Sequence, residues 1–401
     1  MQTESVRAFE AERHTSLAEI QWDQSVARSE IQRIVNDAYS AYSPGKLWPV
    51  HTNDSPNAAQ PFYMLYVGAA GVVWALDHLA RVGASDRQRT FDAVLVDLIE
   101  PNRTVMSRHG TGSLLMGDTG ILFTHWRSSG SSTSKALLAS AIAGNRDNAV
   151  LELMWGSPGT MLTALAMHDL TGESRWADLY RESAVALQRA CAYQADHACW
   201  LWTQDLYGSR VKMIGAVHGF AGNAFALVRG RALLEPDVWT MWSRRIADTL
   251  VATARHGEGG VNWPQSVGTP RPARTAMLLQ HCHGAPGMVT CLAGLSEPID
   301  DLLLEAGETV WNAWPLTKGA GLCHGTAGNG YAFLKLFERT GDQLWLERAR
   351  AFAMHAIAQS TADLSSHGAR RYSLWTGDLG LAIYLWNCLE ARADFPTMDL
   401  F

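Results

Sequence analysis

Along this chain, apolar runs with almost no charge alternate with runs that are apolar on one side and charged on the other. Each uncharged run follows a Gly-x-x-Gly turn, and the turn occurs seven times. Gly68–Gly71 leads into VVWAL, Gly117–Gly120 into ILF, Gly156–Gly159 into TMLTALAM and Gly219–Gly222 into NAFALV. Gly284–Gly287, Gly325–Gly328 and Gly377–Gly380 lead into MVTCLAGL, NGYAFLKLF and LAIYLW. Successive starts lie 49, 39, 63, 65, 41 and 52 residues apart, a repeat long enough for one helical hairpin per turn.

The intervening segments have apolar residues at i, i+3 and i+4 among Arg, Asp and Glu, the mark of a half-exposed helix. ESRWADLYRESAVALQRA (173–190), DVWTMWSRRIADTLVATA (237–254) and DQLWLERARAFAMHAIA (342–358) are examples. One buried and one half-exposed helix in alternation predict concentric rings. The expected fold is therefore all-α, an α/α toroid of seven helical hairpins over residues 60–401, in a single domain. Residues 1–59 are read as an N-terminal helical segment packing on it, with SLAEIQWDQSVARSEIQRIV (16–35) as an amphipathic helix. Strand signals are weak. The glycines are expected to let the backbone bend sharply into each inner helix.

Composition narrows the class of protein. With 47% hydrophobic and 18% charged residues, the 401-residue chain is core-rich rather than disordered. A net charge of −6 without any basic cluster speaks against nucleic-acid binding. No run reaches the ~18–20 apolar residues of a membrane span. The start, MQTESVRAFEAERHTS, lacks the apolar core of a secretory signal, so a cytoplasmic location is expected. Six cysteines in such a chain read as free thiols or metal ligands.

The turns carry the candidate chemistry. Cys282, Cys323 and His324 sit on adjacent repeats, and two thiolates with one imidazole make a catalytic zinc site with an open fourth position. The alternative is two buried thiols beside core histidines. Cys191, His197 and Cys199 lack a Gly turn and are one ligand short of a second site. His168 and His355 lie within helical runs and read as packed or surface residues, while Cys291 and Cys388 read as small core residues.

GAVHGFAGN (215–223), HCHGAPG (281–287) and KGAGLCHGTAGNGYAF (318–333) resemble the lanthionine synthetase C-like (LanC-like) family. MGDTG, MWGSPGTMLTAL and YSLWTGDLG support the likeness, which covers roughly residues 60–390. The resemblance implies the toroid and one Zn2+ per chain. It also implies a Michael-type addition, in which a cysteine thiol held by zinc adds to dehydroalanine or dehydrobutyrine and forms a thioether. His218 matches the family's general acid or base. Asp118 matches an acidic position that would orient His218 or share the proton transfer; its alternative role is a helix cap, the role favoured for Asp378. Lys318 is placed as in the glutathione-binding branch, to pair with a substrate carboxylate, and Arg371 with its neighbour Arg370 would contact substrate.

Peptide cyclases of the family carry Trp-Cys-Tyr-Gly at the first zinc cysteine and an arginine four residues earlier. This chain has His281-Cys282-His283-Gly284, with Leu278 at the earlier position and Arg274 as the nearest upstream arginine. His283 is expected to replace the tyrosine at the enolate oxygen. Cys-His-Gly-Ala-Pro-Gly is instead the form found in the LanC-like branch better known from eukaryotes, whose members resemble glutathione-adding enzymes more than antibiotic cyclases. The expected partners are thus a dehydrated peptide or protein, glutathione as an alternative thiol, and a separate dehydratase. Two other readings compete: an α/α-toroid glycosidase, which needs paired carboxylates, and a scaffold that grips zinc and thiol without turnover.

Overall fold

The computed structural model describes residues 7–56, 60–106, 110–268 and 276–401. In chain order these form α1 (Gln24–Ala41), α2 (Ala69–Arg81), α3 (Asp92–Asp97), α4 (Ile99–Met106) and α5 (Asp118–Ser129). Next come α6 (Ser132–Asn145), α7 (Ser157–Thr171) and α8 (Ser174–Ala190), then two short hairpins, β1 (Ala192–Gln194) with β2 (Cys199–Leu201) and β3 (Gln204–Leu206) with β4 (Ser209–Val211). They are followed by α9 (Phe220–Arg229), α10 (Pro236–Thr253) and the hairpin β5 (Arg255–Gly257) with β6 (Gly260–Asn262). The chain finishes with α11 (Ala285–Leu292), α12 (Asp300–Ala313), α13 (Thr326–Thr340), α14 (Gln343–His367) and α15 (Asp378–Glu390).

The seven helices that begin at a Gly turn are α2, α5, α7, α9, α11, α13 and α15, and each touches the next, with α15 closing on α2. They form the inner ring, and the remaining helices pack outside it. The fold is the expected α/α toroid. The outer helix α8 illustrates the pattern: Trp176, Tyr180, Ala184 and Leu187 are buried while its arginines face outward. Each large apolar side chain so buried contributes about 1.5–3 kcal/mol. Tyr180 Oη donates to Ala226 O at 3.0 Å and so ties α8 to α9.

Among the described residues of the N-terminal segment, only Gln24–Ala41 form a regular α-helix. Asp23 starts it by accepting from Ser25 N and Val26 N, and α1 packs on α14 and α15. The preceding stretch, residues 7–17, is a strap bonded to distant loops, with one short 3-10 turn over Ala11–Arg13. The three hairpins also depart from the sequence reading, because strands of three residues are too short to register as alternation. No helix among the described residues is long and apolar enough to cross a membrane.

The glycines act chiefly through space rather than through backbone freedom. Only Gly219 and Gly284 start their helices with positive φ, at 132° and 108°; the other five have an extended backbone that any residue can adopt. A Cβ on the second glycine of every turn would lie less than 3.0 Å from the carbonyl oxygen six residues earlier. Its next neighbour is the side chain at the matching point of the preceding repeat. Gly71 faces Leu374, Gly120 faces Leu65, Gly159 faces Leu114, and Gly222 faces Leu153. Gly287 faces Ala216, Gly328 faces His281, and Gly380 faces Leu322. This cyclic order gathers all seven turns at one end of the ring.

Candidate metal and thiol site

The turns are stitched sideways by main-chain bonds at one repeated position, two residues before the first glycine. Cys282 N donates to Cys323 O at 3.0 Å, Cys323 N to Trp375 O at 2.8 Å, Trp375 N to Tyr66 O at 3.0 Å, and Tyr66 N to Leu115 O at 2.9 Å. Cys282 and Cys323 therefore occupy equivalent places on neighbouring turns, which brings residues 41 apart in sequence side by side. The next position holds His218, His283 and His324 on three consecutive repeats.

The ligand atoms of Cys282, Cys323 and His324 lie within 4.8 Å of one another, with both thiols buried. Two soft sulfurs and one imidazole suit zinc better than a hard cation. The thiols share their protons unequally. The hydrogen bond from Cys282, then the charge of His324, hold Cys323 well below the usual thiol range against the opposing effect of burial. The same hydrogen bond, reinforced by burial, holds Cys282 well above it. Tyr66, two residues before Gly68, hydrogen-bonds Cys323, and burial keeps its hydroxyl protonated as a donor. Gln280 Nε2 donates to Cys282 Sγ at 3.0 Å.

Beside these thiols, His218 Nδ1–H donates to Glu152 Oε2 at 2.7 Å. Glu152 is fully buried and is held by Met154 N at 3.2 Å and Trp155 N at 2.6 Å. Burial pulls the His218 pKa down, but the Glu152 charge and hydrogen bond outweigh it and leave the value raised. The His283 ring lies 6.1 Å from the His218 ring, and Tyr207, at the tip of the β3–β4 hairpin, lies 6.3 Å away on another side.

A model of the family described as lanthionine synthetase C-like protein matches residues 62–400. The chain belongs to the LanC-like family. LanC-like protein GCL1 of Arabidopsis thaliana is 32% identical over 267 residues, 62% of this chain and 58% of that protein. Glutathione S-transferase LANCL1 of Danio rerio is 31% identical over 211 residues, 50% of this chain and 47% of that one. The chain thus spans about half the length of these relatives. Among solved structures, nisin cyclase matches with a TM-score of 0.60 and 15% identity, covering 93% of this chain and 99% of that one. At that identity the likeness shows the shared toroid.

In this LanC-like chain the carboxylate that orients His218 is Glu152 rather than Asp118. Asp118 accepts instead from Arg103 Nε at 2.6 Å. Nor does Asp118 or Asp378 cap its helix through the side chain; Asp378 accepts from Ser360 Oγ at 2.7 Å and Arg371 N at 3.1 Å. Arg371 is buried and gripped through both Nε and Nη2 by Asp54, so its charge is already matched. Lys318 is exposed at the end of the loop before Cys323, and its charge acts on Cys282. Arg274 lies outside the described residues.

Glu152, Gln280 and Tyr66 escaped the sequence reading. Glu152 had a signal: it is the one charge in the apolar run Leu151–Trp155, four residues before its glycine, and Gln280 holds the matching place before Gly284. A second gathering, His51 with Asp363 and His367, also has ligand atoms within 4.8 Å. There His51 Nδ1 accepts from Asn53 N at 3.2 Å, which puts the proton of the neutral ring on Nε2. The atom nearest Asp363, at 3.8 Å, is then a donor and not a ligand. Cys191 and Cys199 do not gather with His197, and the Cys191 thiol is pushed up to about 12 by burial. His355 is buried, its Nδ1 accepting from Ala18 N.

Proposed function

We infer that this protein forms thioethers by adding a thiol to a dehydroalanine or dehydrobutyrine residue, with zinc held by Cys282, Cys323 and His324. The convergence of two buried thiols and one imidazole beside the Glu152–His218 pair carries this reading. Zinc bound there would supply the Lewis acidity that keeps a substrate thiol in its thiolate form near neutral pH.

The protein's own groups manage the proton. With Nδ1–H committed to Glu152, the neutral His218 ring has Nε2 as its free base, able to accept the thiol proton. As the C–S bond forms at the β-carbon, the alkene electrons move towards the carbonyl, and the α-carbon then takes the proton back from Nε2. Thiol and alkene become thioether with no atom lost. His283 is suited to hold the enolate oxygen, and Lys318 to attract a substrate carboxylate. With Asp118 paired to Arg103 and Arg371 to Asp54, both are better suited to shaping the site than to reacting in it.

The thiol has two sources. Intramolecular attack by a peptide cysteine would make a cyclase. Attack by glutathione would cap a dehydrated protein, a reading favoured by the Cys-His-Gly-Ala-Pro-Gly form at 282–287 and by the name of the Danio rerio relative. A separate dehydratase would supply either substrate. Intact-mass analysis after thiol blocking decides, using zinc-loaded protein and a dehydrated peptide with one cysteine, with and without glutathione. Loss of the free thiol at constant mass identifies the cyclase, and a gain of one glutathione the adduct enzyme. No change in either, with zinc bound, would replace both by a thiol-binding scaffold.

A further inference from the structure

The residue that donates to Cys282 is itself held from the far end of the chain. Arg13 Nη2 donates to Gln280 Oε1 at 3.1 Å, and Gln280 Nε2 donates to Cys282 Sγ at 3.0 Å. A guanidinium has donors only, so the amide must turn its oxygen to Arg13 and its nitrogen to the sulfur. The Gln280 main chain is fixed as well, exchanging bonds with His283 at 3.0 and 2.9 Å.

Arg13 is held in turn by the strap over residues 7–17. Thr317 N donates to Arg13 O at 2.9 Å, Thr15 N to Pro315 O at 2.9 Å, and Ala8 N to Glu258 O at 2.9 Å. His14 Nδ1 lies 2.9 Å from Trp314 O. Glu10 Oε2, 3.6 Å from Arg13 Nη1, balances part of the guanidinium charge. Arg13 is thus oriented by the strap and turned towards Gln280.

We propose that Gln280 and Arg13 are positioning residues for the Cys282 sulfur, so that the metal site is complete only with the strap docked. This rests on the thiol-site reading given above. An N–H···S bond draws charge from a thiolate without protonating it, and the guanidinium one bond further strengthens that donor. A site of two thiolates about to receive a third needs such relief. Groups bonded to a ligand in this way typically alter metal affinity about 10–100-fold when removed.

Cobalt(II), added to the full chain after chelator treatment, tests this through the thiolate-to-metal absorption band rather than through activity. Gln280→Leu is expected to weaken cobalt binding about 10–100-fold and to shift the band. Arg13→Ala should produce a smaller change of the same kind, and the double variant should be no worse than Gln280→Leu alone, because Arg13 acts through the amide. Arg13→Lys keeps a donor for Gln280 Oε1, should recover part of the loss, and provides the comparison if Arg13→Ala does not fold. Wild-type affinity and spectrum in Gln280→Leu would overturn the proposal while leaving the ligand set intact. A wild type with no thiolate band would overturn the ligand set, and this proposal with it.

Discussion

Glu152 and His218, 66 residues apart, meet at 2.7 Å, with the carboxylate buried completely. The pairing fixes the His218 tautomer and raises its pKa against the pull of burial. Glu152→Gln keeps the shape but removes the charge, so burial would then prevail and the pKa would fall. Turnover is expected to drop on the order of 10²–10⁴-fold, the usual worth of a positioned acid–base group. The limb of the pH–rate profile that reports His218 should move to lower pH. An unmoved limb in a folded, metal-loaded variant would remove Glu152 from the mechanism.

The ligand assignment predicts how stability responds to metal. A ligand that binds only the folded state stabilises by about 4 kcal/mol when present at 1,000 times its dissociation constant. Chelation should therefore lower the melting temperature of the wild type. In Cys282→Ser, Cys323→Ser and His324→Ala it should have little further effect, and zinc content should fall well below one ion per chain. Cys191→Ser, outside the cluster, should respond like the wild type. Calorimetry with and without chelator, together with metal analysis, measures both.

The sequence displayed the ring because ring closure makes the same demand seven times. Wherever a turn abuts its neighbour only glycine fits, and that need is written in the chain as Gly-x-x-Gly. Cys282, Cys323 and His324 were legible for the same reason, since each keeps a fixed place in its repeat. Side-chain partners obey no such period. Asp118 turns to Arg103, Arg371 to Asp54 across 317 residues, and Gln280 to Arg13 across 267. These pairs are chosen by where the finished fold leaves an unmatched charge, which no local pattern records. The strap over residues 7–17 was read as helical for a related reason. Its conformation is set by bonds to loops near residues 258 and 314–317 rather than by its own periodicity.

Two glycines should respond to alanine in opposite ways. At Gly328 a Cβ would overlap the Leu322 carbonyl and press on the His281 side chain at 3.1 Å, neither of which can retreat from the ring. Gly328→Ala should cost more than about 3 kcal/mol, in the range of severe core disruptions, and should disturb the adjoining Cys323–His324 turn. Gly144, within α6, has nothing within 4 Å of where its Cβ would stand. Gly144→Ala should stabilise by about 0.4–1 kcal/mol by restricting the unfolded chain. Thermal or denaturant unfolding distinguishes the two. A mild effect at Gly328 would mean that the turns are less tightly nested than the structure describes.

Acid stability should depend on His78, which lies buried in α2 with its ring stacked on Trp74 at 5.2 Å. Burial, with Arg81 and Arg392 adding to it, lowers its pKa to about 4, while Asp77 and Asp394 pull weakly the other way. The folded state thus binds this proton less tightly than the unfolded state, whose value is near 6.5. The resulting contribution is fully present above pH 6.5 and is lost as the pH falls towards 4 and the unfolded chain takes up the proton. Over that window it amounts to about 3 kcal/mol. His78→Phe keeps a ring against Trp74 and cannot titrate, so its unfolding free energy should fall less steeply than that of the wild type between pH 6.5 and 4. Parallel slopes in that window would show that folded His78 takes up its proton as readily as the unfolded chain does, and would assign the acid sensitivity elsewhere.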